Sequence, residues 1–424
     1  MRSLYNILQL VTLIFFLPLL ALMALFSSKY KERIPQRLGI DLQIPAKKSG
    51  RPRIWIHALS VGEVTSAKPL VKALRQKMPE CELLFSSVTQ GGQLMAKEIS
   101  TVVDQFIPFP FDLFFTVQRF VKKVKPDIFV LVETDFWPNI IWQLQRDGVP
   151  YVLVNGRIAQ KSFARYKLLK PLFSSFFDSF AALSMQMDSG RLQLRQLGIA
   201  SQKITSYGNL KFDLELKIED APDLTRMTNC FRGRYVVVAG STHDGEERII
   251  LESFDRLRKT RGNLLLVIAP RNIERSRKVY EMAVASGFDA ALETDELTDL
   301  TQVIILNTLG ELVYLYSYAD IAFVGGSLVD ERGHNPLEPA YWGKPVVYGP
   351  YMADFKEASQ GLLRAGAARQ TTPKDFGETI GQLCADPQLC VKMGSNASKF
   401  VMSHRGAARK YADLIQQIVE NHVS

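Results

Sequence analysis

The sequence predicts an α/β protein with two Rossmann-like domains facing a cleft behind an N-terminal transmembrane anchor helix, and three observations carry that reading. Short apolar runs alternate with stretches whose apolar residues recur at helical spacing, from Arg53 to the far end of the chain. The alternation is interrupted once, by a polar, acid-rich stretch from Asp213 to Thr228, and then restarts. Ahead of both halves, Ile7–Phe26 is almost uninterruptedly apolar. A chain of 424 residues exceeds one ordinary core, and 47% hydrophobic against 22% charged residues excludes a disordered chain.

The apolar run, at 1.5 Å rise per residue, matches a bilayer core of ~30 Å. A secretory signal would have an apolar region of only about 7–15 residues closed by a small-residue cleavage site. No such site follows. Instead come Lys29, Lys31, Arg33, Arg37, Lys47, Lys48, Arg51 and Arg53, with only Glu32 and Asp41 among them. A flank of that kind stays on the cytoplasmic side, so the rest of the chain is expected there. Residues 1–28 thus read as the anchor and 29–52 as a basic juxtamembrane segment. The net charge of +9 points to an anionic partner: nucleic acid, a membrane surface or a phosphorylated substrate. Cys81, Cys230, Cys384 and Cys390 form no C-x-x-C and read as reduced structural thiols.

In the first domain, 53–212, strands are expected at Arg53–His57, Glu82–Val88, Val102–Ile107, Asp127–Val132 and Tyr151–Val154. Helices alternate with them at Glu63–Met78, Gln90–Ile99, Leu113–Val124, Trp137–Arg146 and Ser162–Phe176. An interdomain linker, 213–232, leads to the second domain, 233–424. Its strands are expected at Tyr235–Ala239, Leu264–Ile268, Val303–Leu306, Ile321–Val324 and Pro345–Val347. Strict alternation means βαβ units and parallel sheets, whose ligands sit at the carboxyl ends of the strands. Two such domains suggest the GT-B glycosyltransferase architecture, with a two-domain solute-binding protein as the alternative. The final helices, Pro387–Phe400 and Gly406–Val419, are amphipathic and expected to fold back on the first domain.

Several strand ends carry candidate chemistry. In HALSVGE, Gly62 permits a tight turn that sets Glu63 at the cleft mouth, either as a general base or as a complement to the helix dipole. Glu133 and Asp135 in VETDFWPN are again strand-end acids, and either can be a helix cap. Lys211 in YGNLKFD lies near the domain junction, either reaching a developing negative charge or simply solvated. In the second domain the turns at Gly240, Pro270–Arg271, Leu309–Gly310 and Gly325 fall on one rim, and Arg271 suits a phosphate.

The stretch FVGGSLVDERGHNPLEPAYWGKPVVYGPY, Phe323–Tyr351, breaks from a strand at Gly325-Gly326 and enters a helix at Asn335-Pro336. Such a start favours an anion, and Glu338 is placed for a capping box or a ribose diol. No D-x-D occurs in the sequence, so a glycosyltransferase of this kind is expected to manage a leaving phosphate with Arg, Lys and helix termini, without a metal. His57, His243 and His334 lie too far apart in sequence to argue for one.

Taken together, HALSVGE, VETDFWPN, YGNLKFD, APRN, GGSLV and GHNPLEPA resemble, in order, the motifs of the Kdo transferases. That family moves 3-deoxy-D-manno-octulosonic acid (Kdo) from CMP-Kdo to a lipid A precursor, lipid IVA, at the cytoplasmic face of the bacterial inner membrane. The resemblance implies a GT-B fold and an inverting reaction without metal. It further implies Glu63 as the base, Glu133 and Lys211 as transition-state stabilisers, and CMP contacts at Pro270, Arg271, Gly310, Glu311, Leu312, Asn335, Pro336, Leu337 and Glu338. The implied partners are CMP-Kdo as donor substrate, the phosphorylated lipid and the inner membrane, with no nucleic acid and no cofactor. One departure is Arg332, where the resemblance leads one to expect glycine.

Overall fold

The computed structural model describes residues 2–3, 5–12, 14–15, 34–40, 42–89, 101–133 and 136–423. The chain divides into two units: residues 1–213 with 405–424, and residues 214–404.

The first unit holds β1 (Arg53–His57), α1 (Val61–Lys77), β2 (Glu82–Ser87), β3 (Gln105–Pro108), α2 (Phe114–Val124), β4 (Ile128–Val132), α3 (Pro138–Arg146) and β5 (Tyr151–Gly156). These are followed by α4 (Gln160–Leu168), α5 (Lys170–Asp178), β6 (Ala182–Met185), α6 (Asp188–Gln196) and β7 (Ile204–Ser206). The expected helix at Gln90–Ile99 lies outside the described residues. Leu169 breaks the one helix expected over Ser162–Phe176 into α4 and α5, Pro171 falling in the first turn of the second. The strands are parallel, in the order β3-β2-β1-β4-β5-β6-β7. Ile54, Ile56 and Val130 bury one face of the sheet while Trp55, Phe129 and Leu131 bury the other, as a sheet covered on both sides requires.

A helix at Ala407–Val423 covers the first face through Tyr411, Ile415 and Val419, which pack with Leu70 and Val71 of α1. It belongs to the first unit, although the sequence boundaries grouped it with the second. Asp213 fixes it there, accepting from the N–H groups of Gly406 and Ala408 at 2.5 Å each. The Tyr411 hydroxyl donates to the Gly208 carbonyl at 2.6 Å, so this helix also pins the YGNLKFD turn.

Among the described residues no helix is long and apolar enough to cross a membrane. The second half of the expected span, 16–26, lies outside them. The described part is fastened to the first unit by polar groups. Tyr5 donates to Asp112 at 2.9 Å and stands edge-on to Trp142, while Gln9 accepts from Asn139 at 3.0 Å. Asp112 also accepts from the N–H groups of Asn139 and Ile140, at 3.2 and 3.1 Å, and so caps α3 from a distant loop. Asp135, read as a possible cap, lies outside the described residues. Burial pushes the Asp112 carboxyl up to about 6 against the pull of those donors.

The second unit opens with α7 (Thr225–Phe231), which buries Met227, Cys230 and Phe231 in its core and so makes the last part of the expected linker a helix of this unit. Then come β8 (Tyr235–Thr242), α8 (Glu246–Arg258), β9 (Leu264–Pro270), α9 (Ser276–Ala285), β10 (Ala290–Leu292), β11 (Val303–Ile305), α10 (Leu312–Leu315) and β12 (Ile321–Val324). The unit closes with α11 (Leu337–Tyr341), β13 (Val346–Tyr348), α12 (Lys356–Arg364), β14 (Ala368–Gln370), α13 (Phe376–Ala385) and α14 (Pro387–Ser403). Its sheet is parallel, in the order β10-β11-β9-β8-β12-β13-β14. All four cysteines are free and buried.

Each sheet reverses its strand order at its centre, between β1 and β4 in the first unit and between β8 and β12 in the second, and the second sheet reverses again toward its edge, where β11 lies between β9 and β10. At such a reversal the crossovers leave on opposite sides, opening a crevice at the carboxyl ends of the strands.

A buried ion pair closes the other edge of the first sheet. Arg53 is 1% exposed and donates to Glu82 at 2.6 Å, to the Val124 carbonyl at 2.8 Å and to the Pro45 carbonyl at 3.0 Å. Arg53→Leu strands a buried carboxylate and is expected to cost the first unit about 3–5 kcal/mol in urea unfolding. Arg53→Leu/Glu82→Leu should recover most of that loss; a double variant no better than the single one would mean that the charge is not what matters.

Candidate active site

In the first unit, three candidates fall on the carboxyl edge of the sheet. Glu63 follows β1, Glu133 follows β4, and Lys211 stands on a short 3-10 turn, Leu210–Phe212, against α1. The turn into α1 is made by Ser60, with extended backbone (φ −110°, ψ 169°), and not by Gly62, which sits in the first helical turn. Ser60 and Glu63 form a capping box: the Ser60 hydroxyl accepts from the Glu63 N–H at 3.4 Å and donates to Oε1 at 3.3 Å. Glu63 Oε2 accepts from the Leu59 N–H at 2.6 Å. The carboxylate is thus half-buried and held in one orientation as a partner of the helix end.

Glu133 is left-handed (φ 63°), which costs a residue with a side chain roughly 1–2 kcal/mol. Its N–H donates to the Val154 carbonyl, keeping this conformation registered against β5. Asn155, also left-handed (φ 54°), accepts from the Leu210 N–H at 3.0 Å, and Asn209 caps the Lys211 N–H at 3.0 Å. Strain of this kind persists only where surrounding contacts impose it, and it gathers at functional edges. His57 is a different matter. It is fully buried and stacked on Phe109 at 3.6 Å, and burial lowers it to about 3, leaving a neutral core ring.

In the second unit the nucleotide candidates come together at the ends of β8, β9, β11 and β12. The Arg271 N–H donates to the Thr242 carbonyl at 2.9 Å, tying the end of β9 to the end of β8. Gly310 is left-handed (φ 94°) and opens onto free space, while Leu312 and the Tyr316 hydroxyl crowd Gly240 so closely that no Cβ fits there. Asn335 Oδ1 accepts from the Leu337 N–H and its amide donates to Glu338, each at 3.1 Å. The helix that follows, α11, has only five residues. A macrodipole grows with aligned peptides, so here polarity comes from the Asn335 and Glu338 side chains and not from the helix axis expected in the sequence.

The Gly-rich turns at 240 and 325 are not open anion cradles either. Glu246, fully buried, accepts from the N–H groups of Gly326, Ser327 and Leu328 at 2.7, 3.0 and 2.9 Å, and from His243 N–H at 2.9 Å. A protein carboxylate already fills that nest. Glu247 is likewise engaged, by Thr242 at 3.0 Å and Arg275 at 2.7 Å. Arg332 is left-handed (φ 68°), as a position suited to glycine would be, and its guanidinium is tied to Asp354 at 2.6 Å. Sequence reasoning weighed His243 and His334 only as metal ligands and passed over Glu246 and Tyr316. A histidine directly after β8 and another in the loop after β12 was the available signal, and only the sheet order gives it meaning.

Two parallel-sheet α/β domains with polar residues gathered at the carboxyl ends of their strands define the GT-B class of glycosyltransferase fold. Solved structures agree on that fold. A glycosyltransferase from Rickettsia africae ESF-5 is matched at a TM-score of 0.58 and 12% identity, over 88% of this chain and 100% of that one. UDP-GlcNAc 2-epimerase from Neisseria meningitidis, bound to UDP-GlcNAc, is matched at 0.58 and 15%, over 87% and 100%.

The family is narrower. A family model described as 3-deoxy-D-manno-octulosonic-acid transferase (kdotransferase) matches residues 32–214. The 3-deoxy-D-manno-octulosonic acid transferase of Haemophilus influenzae is 31% identical over 431 aligned residues, covering 100% of both chains. That of Aquifex aeolicus is 31% identical over 76% of this chain and 82% of its own. The chain belongs to the Kdo transferase family of glycosyltransferases.

Glu338 supplies a pH signature. Burial pushes its carboxyl up to about 7, with the Asn335 hydrogen bond and the Arg271 charge pulling back. The folded protein therefore binds this proton more tightly than the unfolded chain, so stability falls as pH rises from about 4.5 to about 7. Glu338→Gln should melt above wild type at about pH 8 and lose that advantage near pH 4. Parallel melting curves across the whole range would overturn the assignment.

Proposed function

We propose that this chain is an inverting glycosyltransferase that moves Kdo from CMP-Kdo to the lipid A precursor lipid IVA in lipopolysaccharide biosynthesis, with no metal required. The observation that carries the reading is the sorting of chemistry between the units. Glu63 and Glu133 follow the two strands at the reversal of the first sheet, with Lys211 on the turn against α1, and an arginine with nucleotide-suited turns lies at the carboxyl ends of the second sheet's strands. In the reaction, Glu63 takes the proton of the acceptor hydroxyl as its oxygen attacks the anomeric carbon. The bond from that carbon to the CMP phosphate oxygen breaks on the opposite face, and CMP leaves with the electron pair. Glu133 and Lys211 stabilise the transition state, Lys211 by its positive charge. Pro270, Arg271, Gly310–Leu312 and Asn335–Glu338 hold the nucleotide.

The long apolar run and its basic flank support an N-terminal anchor in the inner membrane, with both α/β units on the cytoplasmic side. The same flank draws a phosphorylated lipid to the surface by charge.

Incubating detergent-extracted protein with CMP-Kdo, a tetraacylated lipid A precursor and a chelator should yield product heavier by one or more Kdo units in mass spectrometry. Absence of product from folded, CMP-binding protein would overturn the donor–acceptor pair. Glu63→Gln separates the two roles of that residue, because glutamine also serves in a capping box. Transfer should fall ~10²–10⁴-fold with CMP affinity and melting unchanged, and a variant keeping more than a few per cent of activity removes Glu63 from the base role. Arg271→Ala should weaken CMP binding by about tenfold or more, while lipid binding holds.

A further inference from the structure

At the reversal of the second sheet, where β8 and β12 lie side by side, two imidazoles meet. His243 Nε2 and His334 Nε2 are 2.8 Å apart, with the rings within 12° of parallel planes. At that distance one nitrogen must donate its proton to the lone pair of the other, so the rings form one hydrogen-bonded unit. Glu331 lies 4.0 Å from His243 Nδ1 and favours a proton there. His243 Nε2 then accepts, His334 Nε2 donates, and His334 Nδ1 is left bare.

The pairing is built rather than incidental. Glu246 accepts from the backbone N–H of His243 and from three N–H groups of the turn after β12, fixing both rings to one buried group. The loop carrying His334 is closed by Gly333 N–H to the Gly326 carbonyl at 2.8 Å and His334 N–H to the Gly325 carbonyl at 3.2 Å. Gly326 sits so close under the ring that an added Cβ would lie 3.0 Å from His334 Cδ2.

We propose that His243 and His334 are a phosphate-recognition site for the donor nucleotide, and that the pair takes up one proton as the phosphate binds. This rests on the CMP reading above and adds to it a site and a proton. The neutral pair has a vacancy for that proton at His334 Nδ1, and filling it turns an acceptor into a charged donor beside an anion. The charged groups acting on the pair are Arg271 from the end of β9, Glu331 of the loop, and Asp354, itself paired with Arg332. Burial, Arg271 and His243 together lower His334 to about 4, so His334 itself carries no extra proton near neutral pH. A bound phosphate offsets the Arg271 field, the second of those causes, and sets a negative charge beside the ring that favours a proton there.

The test is calorimetric titration of the full-length protein with CMP at about pH 6.5, in Mes and in Bis-Tris, whose different ionisation heats report protons exchanged. Wild type should show net proton uptake per CMP, one proton gained by the pair less the fraction that the CMP phosphate gives up beside Arg271. Cytidine, lacking the phosphate, should cause no uptake. In His334→Gln, and separately in His243→Asn, uptake should vanish or turn to release, because the nucleotide's own phosphate, with pKa near 6, loses its proton beside Arg271. Affinity in each variant should drop about tenfold, with unchanged melting. CMP binding by wild type without proton uptake, or equal uptake in the variants, overturns the proposal and leaves the donor reading standing. Failure of wild type to bind CMP at all overturns both.

Discussion

Glu246 is the interaction on which the second unit's edge depends. Moving a carboxylate into a buried site costs several kcal/mol unless donors meet it, and here four backbone N–H groups from two different turns do so. Burial still raises the carboxyl above its usual range, so the donors offset the cost without cancelling it. What the arrangement achieves is rigidity at the crossing from β8 to β12. Ser241 is held left-handed and Gly325 abuts the Ser241 carbonyl, where a Cβ would lie 2.4 Å away. The side chains proposed to hold the nucleotide inherit their positions from that fixed seam.

The first unit solves the same problem by other means. Its edge is set by side chains reaching across to backbone: Asn155 to Leu210, Asn209 to Lys211, Ser60 to Glu63 and Asp213 to Gly406 and Ala408. Each satisfies one or two N–H groups, and no central carboxylate links them. Glu63 is thereby oriented by the helix it begins, the same side chain that we propose as the base.

Most of the architecture was legible because parallel strands buried on both faces appear as short apolar runs, as Tyr235–Ala239 and Asp127–Val132 did. The strands missed, β6, β7, β10 and β14, have three or four residues and lie toward the sheet edges, where no long apolar run marks them. Strand ends were legible as candidate sites because glycines and charges interrupt apolar runs there. What those side chains touch was not. Gly62 was read as a turn that Ser60 makes, and nothing in the sequence near Gly325 announces that Glu246 takes up the N–H groups that follow it. Sequence distance hid these partners: His243 meets His334 across 91 positions, and Asp213 meets Ala408 across 195.

The bond between Asp213 and the start of the helix at 407–423 has a consequence for biogenesis. The YGNLKFD turn is braced by a segment synthesised about 190 residues later, after the entire second unit. At ~5–20 residues per second that interval is roughly 10–40 s. Throughout it, the strands of the first unit are present while α1 lacks the helix that covers its outer apolar face. The nascent chain therefore carries an uncovered greasy surface during nearly half of translation. Quality control in the cell meets this protein first as an open sandwich, and only the arrival of Tyr411 and Ile415 closes it.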